Sequence, residues 1–502
     1  MGRRRRTSRQ SDLTDSQKPF GVATGGSWAP LSFQDIDAVG AAAIRILTEI
    51  GVSEAPPVVS EAILAAGGRM VNDRLLYPAE LVSATIADGP RSVLLAGQSP
   101  AHDMHVGGAH VYAGTGGAAP NIVDVASRQF RRSTLRDLHA AARLADALDH
   151  VQFFSRSLVA GDVSDALEFD LATAVASLAG TSKHVMVQAT DPAHVAPLAE
   201  LCYEIAGSEA TFRARPFLSL NINHAVPPLR FHRESAEVMA EAVRHGIPVH
   251  CNVFGQLGAS SPVTMAGSVA QTLAETLAGL AFTHGLDPSA PRIAGPRPMI
   301  TDLRTGGMAG GAGEQSMATA LAVQVLRRWD LPCSVIAGAT DSKCADFQSG
   351  YEKALSVSTA VQAGANLITQ AAGSQAGLMA VSFTAMVADN DMLGAVMRAN
   401  TLPEVSEETL MLDAIRDVVL GEGHFLGRPE TYARMRSDFL YPEVADRTSL
   451  EGWAGANSQD MARRATSRSD EILKDHWPEH MPRTLRERLS IRFRLEQRED
   501  SC

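Results

Sequence analysis

The chain has 502 residues, of which 45% are hydrophobic and 20% are charged, and its formal net charge is −11. This composition is typical of a soluble globular protein with one large domain and extensions, or with two domains. The negative charge argues against non-specific binding to nucleic acid, and no apolar run approaches the roughly 18 residues that a membrane span needs.

The first residues include four consecutive arginines, at positions 3–6, a pattern that also occurs in twin-arginine export signals. No apolar stretch follows them, so we expect residues 1–26 to form a disordered basic and polar tail. The five cysteines lie far apart and form no Cys-x-x-Cys pair. That usage favours a reducing cytoplasm and predicts neither a zinc site nor a disulfide framework.

Residues 27–105 are predicted to form a helical and hairpin region that packs on the main domain. A helix is expected in 32–51, where Ser32 can cap the first turn and apolar residues form a stripe. At the other end of the chain, residues 446–502 are strongly charged and are predicted to form a helical extension.

Between residues 106 and 445, short apolar runs alternate with stretches of helical periodicity. The runs begin about 30 to 45 residues apart, the length of a strand, a crossover helix and two loops. Seven of them are clear, and an eighth candidate precedes them: 151–159, 184–190, 217–223, 248–254, 291–295, 332–338 and 365–370, with 109–117 as the candidate. Eight parallel strands with eight crossover helices predict an α/β fold, the TIM (β/α)8 barrel.

Glycines support this reading of the helices, because a left-handed glycine often ends a helix. We expect that role for five of them: Gly180, Gly207, Gly246, Gly285 and Gly364. An open doubly wound sheet is the alternative fold, and it usually carries a glycine-rich nucleotide loop after its first strand. The nearest sequence, YAGTGGAAPN at 112–121, lacks the lysine of a phosphate loop.

Polar residues follow the predicted strands, and in a TIM barrel the loops at these strand ends form the active site. Outside the segment 340–352 they are Asp162, Asn221, Asn223, His224, His250, Asn252, Glu314, Gln370, Ser374 and Gln375. A lone histidine in an apolar strand, such as His250, is more often a core residue than a catalyst. We also expect at most one of Asn221 and Asn223 to face the barrel at a given level.

Three motifs carry a resemblance to a known family: GxxxPVTxAG at 258–267, TDSKxxDxQxGYEK at 340–353 and GHFLGxPET at 423–431. With these motifs, residues 30 to 480 resemble the trimethylamine methyltransferase (MttB-like) family. The resemblance implies a TIM barrel that moves a methyl group from a methylated amine to the cobalt of a corrinoid, cobalamin, carried by a separate protein.

The founding members of that family carry pyrrolysine near the loop that matches residues 335–343, where this sequence has only standard residues. The chain therefore resembles the pyrrolysine-lacking branch, whose known substrates are glycine betaine and other quaternary amines. It departs from many relatives at 311–314, where Gly-Ala-Gly-Glu stands in place of Gly-Ser-Pro-Glu.

A cation in the barrel mouth favours carboxylates and aromatic faces. We therefore expect catalytic roles for Glu314, Asp341 and Asp346, and substrate-binding roles for Asn223, His224, Lys343, Gln348, Tyr351 and Glu352. Glu352 equally fits the surface of the next helix. Lys343, His224 or a helix N-terminus is expected to receive a carboxylate if the substrate carries one.

The expected partners are a corrinoid protein and a small methylated amine, with no nucleic acid, no membrane and no tightly bound metal or nucleotide. The sequence is also compatible with a homo-oligomer. Two other functions also fit the scaffold: another TIM-barrel enzyme, such as a lyase or hydrolase, and a non-catalytic protein that binds a methylated amine.

Overall fold

The computed structural model describes residues 23–124, 129–421 and 423–493. The predicted disordered tail falls mainly on residues 1–22, which lie outside this range. The N-terminal region begins with a helix capped by Ser32, whose side chain and that of Asp35 form a reciprocal capping box. Its elements are α1 (Phe33–Arg45), α2 (Pro57–Ala65), β1 (Arg69–Val71), β2 (Arg74–Leu76), α3 (Ala79–Ala87), β3 (Ser92–Leu95) and β4 (Met104–Gly107).

From there, strands and helices alternate. In chain order they are β5 (Tyr112–Ala113), β6 (Asn121–Val123), β7 (Phe130–Arg132), α4 (Leu135–Ala147), β8 (Phe153–Ser155), α5 (Ala166–Gly180), β9 (His184–Val187), α6 (Val195–Ala206), α7 (Glu209–Ala214), β10 (Leu218–Asn223), β11 (Ala225–Val226), β12 (Arg230–Phe231), α8 (Arg233–Arg244), β13 (Val249–Gln256), α9 (Met265–Leu286), β14 (Arg292–Met299), α10 (Gly313–Arg328), β15 (Ser334–Ile336), α11 (Phe347–Ala363), β16 (Leu367–Thr369), β17 (Ser374–Gln375), β18 (Ala380–Val381) and α12 (Phe383–Ala399).

The C-terminal part is helical. It contains α13 (Glu407–Leu410), α14 (Leu412–Leu420), α15 (Pro429–Arg434), α16 (Leu450–Gly455), α17 (Met461–Asp475) and α18 (Arg483–Arg492). The segment after α17 is held to the main body by Arg143 of α4, whose guanidinium lies 3.3 Å from the centre of the Trp477 ring and donates to the carbonyls of Leu473 and His476. Within the described ranges, no helix combines the length and the hydropathy of a bilayer span.

All eight predicted strands are present, and they pair in parallel in a curled, mixed α/β arrangement. β8, β9, β10, β13 and β14 form one sheet, while β15, β16 and β5 form another. The strands are buried along nearly their whole length because helices cover one side and the interior fills the other. The sequence YAGTGGAAPN at 112–121 is followed by strand β6. A glycine-rich nucleotide loop is followed by a helix instead, so this segment does not have that structure.

The hairpin of β3 and β4 covers the amino-terminal ends of the parallel strands. Val93, Leu95, Met104 and Val106 of the hairpin pack in one cluster with strand residues, which are Tyr112, Phe153, Met186, Ile293 and Leu367. This apolar plug leaves the carboxyl ends of the strands as the side on which a polar site can form.

The five glycines expected to end helices divide into two groups. Gly207, Gly246 and Gly364 have φ of 85°, 70° and 94°, which confirms the left-handed ending. For Gly180 and Gly285 the prediction is wrong, since both lie inside their helices. At Gly180, a Cβ atom would come within 2.6 Å of the Ala142 side chain, so the glycine there permits close packing of α5 on α4.

Glu275 of α9 gives the fold a specific pH dependence. Its Oε1 accepts from the Leu229 amide at 2.5 Å and from Gln271 at 3.4 Å, whereas Oε2 has no partner among the described residues. Burial raises the pKa of this carboxyl to about 7. The folded state therefore keeps a proton that an unfolded chain, with a glutamate pKa of about 4.3, releases. Glu275 accordingly lowers stability as the pH rises between these two values.

Replacing Glu275 with glutamine tests this assignment, because Glu275→Gln keeps the acceptor oxygen and removes the ionisation. We expect the melting temperature of the variant, relative to the wild type, to increase from about pH 5 to about pH 8. The measurement is a thermal unfolding series, with Glu61→Gln on the exposed face of α2 as the control. A difference between variant and wild type that does not change with pH would contradict the assignment.

Candidate functional site

A cavity of about 190 Å³ lies at the carboxyl ends of the parallel strands. Seven of the eight strands, or the residues directly after them, contribute to its wall; β15 is the exception. The lining residues are Gly117, Ala118, Ser155, Arg156, Met186, Val187, Gln188, Asn221, Asn223, Asn252, Phe254, Arg297, Thr369 and Gln370. Most of these side chains are polar, so the cavity suits a small polar or charged molecule.

A continuous set of hydrogen-bonded side chains, here called the polar belt, runs along this wall. It consists of Ser155, Asn221, Asn252, Arg297, Thr369 and Gln370. On one side, Asn221 donates to the Ser155 hydroxyl at 3.0 Å and Asn252 donates to Asn221 at 3.3 Å. Arg297 then donates to the Asn252 oxygen at 2.9 Å. The belt thus connects β8, β10, β13 and β14 through side chains.

The other half of the belt runs from Arg297 to β16 and β5. Arg297 also donates to the Thr369 hydroxyl at 2.9 Å, and that hydroxyl donates to the Val335 carbonyl. The Gln370 amide donates to the same hydroxyl, and its oxygen accepts from the backbone of Gly117 at 3.1 Å. Each polar group of the belt is therefore oriented by its neighbours before any ligand enters.

One glycine is required for this arrangement. Gly295 lies beside Asn252 in the register of β13 and β14. A Cβ atom at position 295 would come within 2.0 Å of the Asn252 side-chain oxygen. Any other residue would displace Asn252 and break the belt at its centre.

Buried histidines form a second polar group along the same strands. His184 contacts the Ser219 hydroxyl at 2.8 Å, and Ser219 contacts His250 at 3.0 Å. Burial lowers the pKa of His250 to about 3 and that of His184 to about 4, so both are neutral at pH 7. His250 is fully buried and does not line the cavity, which agrees with a core role.

The segment 340–352 is organised around Glu352, which is buried in the first turns of α11. One oxygen of Glu352 accepts from the Thr340 hydroxyl at 2.5 Å and from the Asp341 amide at 2.9 Å. The other oxygen accepts from Gln348 at 2.8 Å, and the Tyr351 hydroxyl lies 3.5 Å away. Glu352 therefore holds the loop that carries Asp341 and is not a residue of the helix surface.

Asp341 joins this loop to the loop that follows β14. Its carboxylate accepts from the amides of Gly310 and Gly311 at 3.1 and 3.4 Å. Burial raises the pKa of Asp341, and these two amides oppose the shift. The Lys343 ammonium donates to the backbone carbonyl of Asp341 and is otherwise exposed.

Asp346 and Glu314 both stand at helix starts. Asp346 is the N-cap of α11, where it accepts from the Ser349 amide at 3.0 Å and from the Ser342 hydroxyl at 2.8 Å. The hydrogen bond from the Ser349 amide is the main cause of its lowered pKa. Glu314 is exposed in the first turn of α10.

Apart from His224, the remaining predicted residues fall into three places. Asn221, Asn223, Asn252 and Gln370 line the cavity. Asn221 and Asn223 are two residues apart and share a strand face, so both contribute to the wall at successive levels of β10. Ser374 and Gln375 form β17 and are buried, and the Gln375 side chain contacts Ser349. Asp162 accepts from the Leu135 amide at the start of α4.

His224 lies outside the cavity lining, in a fully buried position between β10 and α9. Its Nε2 contacts the Glu275 carbonyl at 2.9 Å, and its ring packs against Phe231. Burial lowers its pKa to about 4, so it carries no charge at neutral pH.

Several residues of the cavity wall were not predicted from the sequence. The most consequential are Arg156, Gln188, Phe254 and Arg297. All four lie in or directly after a parallel strand, so the strand-end rule that selected Asn223 and Gln370 could have found them. Arginine inside an apolar run was the available signal.

A second cavity, of about 330 Å³, lies between helices and the C-terminal segment, where His139, Trp477 and Arg486 are among its lining residues. It is larger but is remote from the strand ends, so we assign the site to the smaller one. Among the described residues, no group of three or more His, Cys, Asp or Glu side chains is arranged to hold a metal ion.

Comparison with known proteins gives a consistent result. The family model described as trimethylamine methyltransferase (MTTB) matches residues 1–501. The chain is 28% identical over 479 residues to trimethylamine methyltransferase MttB of Desulfitobacterium hafniense (strain DSM 10664 / DCB-2), covering 95% of both chains. It is 24% identical over 436 residues to glycine betaine methyltransferase of Desulfitobacterium hafniense (strain Y51), covering 87% of this chain and 90% of that protein.

A solved structure, the carboxyl transferase domain of Rhizobium etli pyruvate carboxylase, matches with a TM-score of 0.31 and 12% identity. The match covers 94% of this chain and 76% of that chain. A TM-score this low carries no argument about fold or function.

The role of Glu352 is testable by truncation. Glu352→Ala removes the acceptor of the Thr340 hydroxyl and of the Asp341 amide, at a cost of about 1.5–3 kcal/mol in the free energy of unfolding. Hydrogen exchange read by mass spectrometry should show faster exchange at the Asp341 amide. Glu314→Ala, an exposed carboxylate on the neighbouring helix, should leave that exchange unchanged. Equal protection of Asp341 in the Glu352→Ala variant would refute the bracing role.

Proposed function

Because this chain belongs to the trimethylamine methyltransferase family and is therefore a methyltransferase, we propose that it transfers a methyl group from a methylated amine to the cobalt of a corrinoid carried by a partner protein. The observation that carries the proposal is the polar cavity at the carboxyl ends of the parallel strands. At about 190 Å³, it suits a small amine and is too small for a corrinoid, which must approach from outside.

We propose a quaternary, betaine-like amine as the substrate. In the transfer, the carbon–nitrogen bond breaks, nitrogen keeps the electron pair, and the methyl carbon accepts an electron pair from Co(I). A quaternary ammonium leaves as a neutral tertiary amine, so the step needs no proton donor. The relative named glycine betaine methyltransferase supports this substrate class.

In this reaction the protein acts mainly by positioning the methyl donor. The amides of Asn221, Asn223 and Asn252 face the cavity, and the first and last are held by the polar belt. Phe254 adds an aromatic side chain to the wall, and the Arg297 guanidinium lies 5.4 Å from the centre of its ring, so this ring helps to hold Arg297. Groups that are fixed before binding cost no reorganisation when the methyl group moves.

Carboxylates on the surrounding loops support recognition of a cation. We propose that Asp341 carries this role, with Glu314 and Asp346 contributing to the field, while Gln348, Tyr351 and Lys343 shape the loop. Asp341 is the best placed of the carboxylates because it bridges the loops after β14 and β15. The contacts of Asp346 fit a helix cap as well.

We also propose that the eight parallel strands close into one (β/α)8 barrel within residues 106–445. Single parallel bridges support closure at both seams between the two sheets, from Gly114 to Phe153 and from Ala294 to Cys333. The polar belt spans the same interior from β8 to β16, and filled interior layers are typical of eight-stranded barrels. In this arrangement the cavity is the barrel mouth.

The corrinoid is proposed to act as a second substrate on its own carrier protein, in the cytoplasm. Three partly buried apolar residues, Phe254, Met308 and Leu378, pack against the cluster that contains Ile336. Because Phe254 also lines the cavity, this apolar surface supports contact with the carrier protein beside the cavity.

The test combines the purified chain with free Co(I) corrinoid and glycine betaine or trimethylamine, and follows the corrinoid spectrum. We expect methylation of the corrinoid that depends on both the amine and the protein. Substrate turnover without corrinoid methylation would favour a lyase or hydrolase instead, and binding without turnover would favour a non-catalytic binding protein.

Asp341→Asn tests the cation role of the loop, because it removes the charge and nearly preserves the shape. Loss of a charge-assisted contact worth about 1.5–3 kcal/mol should lower transfer efficiency by about tenfold to over a hundredfold. Asp346→Asn is the matched variant; asparagine is itself a good helix cap, so a purely structural role predicts near-normal activity. Full activity of both variants would end the assignment of a cation site to this loop.

A further inference from the structure

Two guanidinium groups line the cavity, those of Arg156, which is half-buried, and Arg297, which is buried, and neither is paired with a carboxylate there. Arg156 donates to the Gln188 oxygen, and Arg297 donates to the Asn252 oxygen and the Thr369 hydroxyl. All three acceptors are neutral. The Nε of both arginines and the Nη1 of Arg156 have no partner among the described residues.

Both guanidinium groups are charged at neutral pH. Burial lowers the pKa of Arg156 to about 10 and that of Arg297 to about 9, and both values stay well above 7. Among the described lining residues, none is acidic. Asp170, which does not line the cavity, attracts Arg156 electrostatically; its Oδ2 accepts from the backbone and hydroxyl of Thr190 and contacts His194, and its Oδ1 has no hydrogen-bond partner among the described residues. The cavity wall therefore carries an excess of positive charge.

Buried charges in proteins are normally paired, because an unpaired charge in a dry site is costly. In this chain Lys353 is matched by Asp389 at 2.6 Å, and the buried Arg143 and Arg292, which do not line the cavity, donate to backbone carbonyls. Arg156 and Arg297 are held in place by neutral side chains and keep N–H groups without a partner among the described residues, which leaves them available to a ligand.

We propose that Arg156 and Arg297 form an anion receptor for the carboxylate of a zwitterionic methylated amine. This inference rests on the proposed function and deepens it by selecting among methylated amines. The receptor replaces Lys343 and His224 as the group that receives a substrate carboxylate: Lys343 bonds the backbone of its own loop, and His224 is buried outside the cavity.

The receptor also sets the orientation of the substrate. Two positive charges in the wall repel an ammonium group, so the methylated nitrogen lies away from them and the carboxylate lies against them. The methyl groups then face the open side of the cavity, from which a partner protein can approach. Purely cationic amines such as choline or trimethylamine lack the group that the receptor binds, and they are repelled by it.

Isothermal titration of the intact protein with glycine betaine and with choline tests the receptor without any corrinoid. We expect wild-type protein to bind glycine betaine about tenfold to a hundredfold more tightly than choline. Arg156→Gln should remove most of that preference, and Arg156→Lys should retain part of it. Arg304→Gln, in the exposed loop after β14, is the control and should leave both affinities unchanged.

Equal wild-type affinities for the two ligands would overturn the proposal, and so would full preference for glycine betaine in Arg156→Gln. If Arg156→Gln does not fold, the wild-type comparison and Arg156→Lys decide the question. The corrinoid assay separates this inference from the proposed reaction. Carboxylate-selective binding with no methyl transfer would reject the reaction and support the receptor, whereas methyl transfer without carboxylate preference would support the reaction and reject the receptor.

Discussion

The polar belt is the constraint on which the site depends, and Arg297 lies at its centre. This guanidinium joins Asn252 of β13 to Thr369 of β16, so three strands share one buried charged group. An apolar residue there would leave the buried Asn252 oxygen without its donor, and a carboxylate partner would cancel the charge that a ligand could use. The glycine at 295 leaves the space that Asn252 occupies, and Arg297 fixes the orientation of the Asn252 amide.

The two ends of the parallel strands have different roles: the amino-terminal ends pack in an apolar cluster that stabilises the fold, and the carboxyl ends form the candidate site. At the amino-terminal ends, the hairpin of β3 and β4 packs an apolar cluster against Phe153 and Ile293. The neutral histidine pair of His184 and His250 lies elsewhere along the strands, and the polar belt lies at their carboxyl ends. Because the plug supplies apolar burial, the opposite end can hold two guanidinium groups in a wall whose described lining residues include no acid, in a protein whose net charge is −11.

The strands could be predicted from the sequence because apolar runs and their spacing depend on local chemistry. The loop 340–352 could be placed among the strand-end loops for the same reason. That Arg156 and Arg297 line one cavity could not be predicted, since these residues are 141 positions apart in the chain and belong to opposite ends of one curled sheet. The exclusion of His224 from the cavity was also out of reach, because it depends on how the chain turns behind α9 after β10.

We propose that the cavity lined by Arg156 and Arg297 holds the methyl donor. A crystal structure of the protein soaked with glycine betaine tests this placement. We expect ligand density at the carboxyl ends of the strands, with the carboxylate against the two guanidinium groups and the methyl groups toward the opening. Density with the ammonium end against the arginines, or a ligand bound only in the cavity beside Trp477, would contradict it.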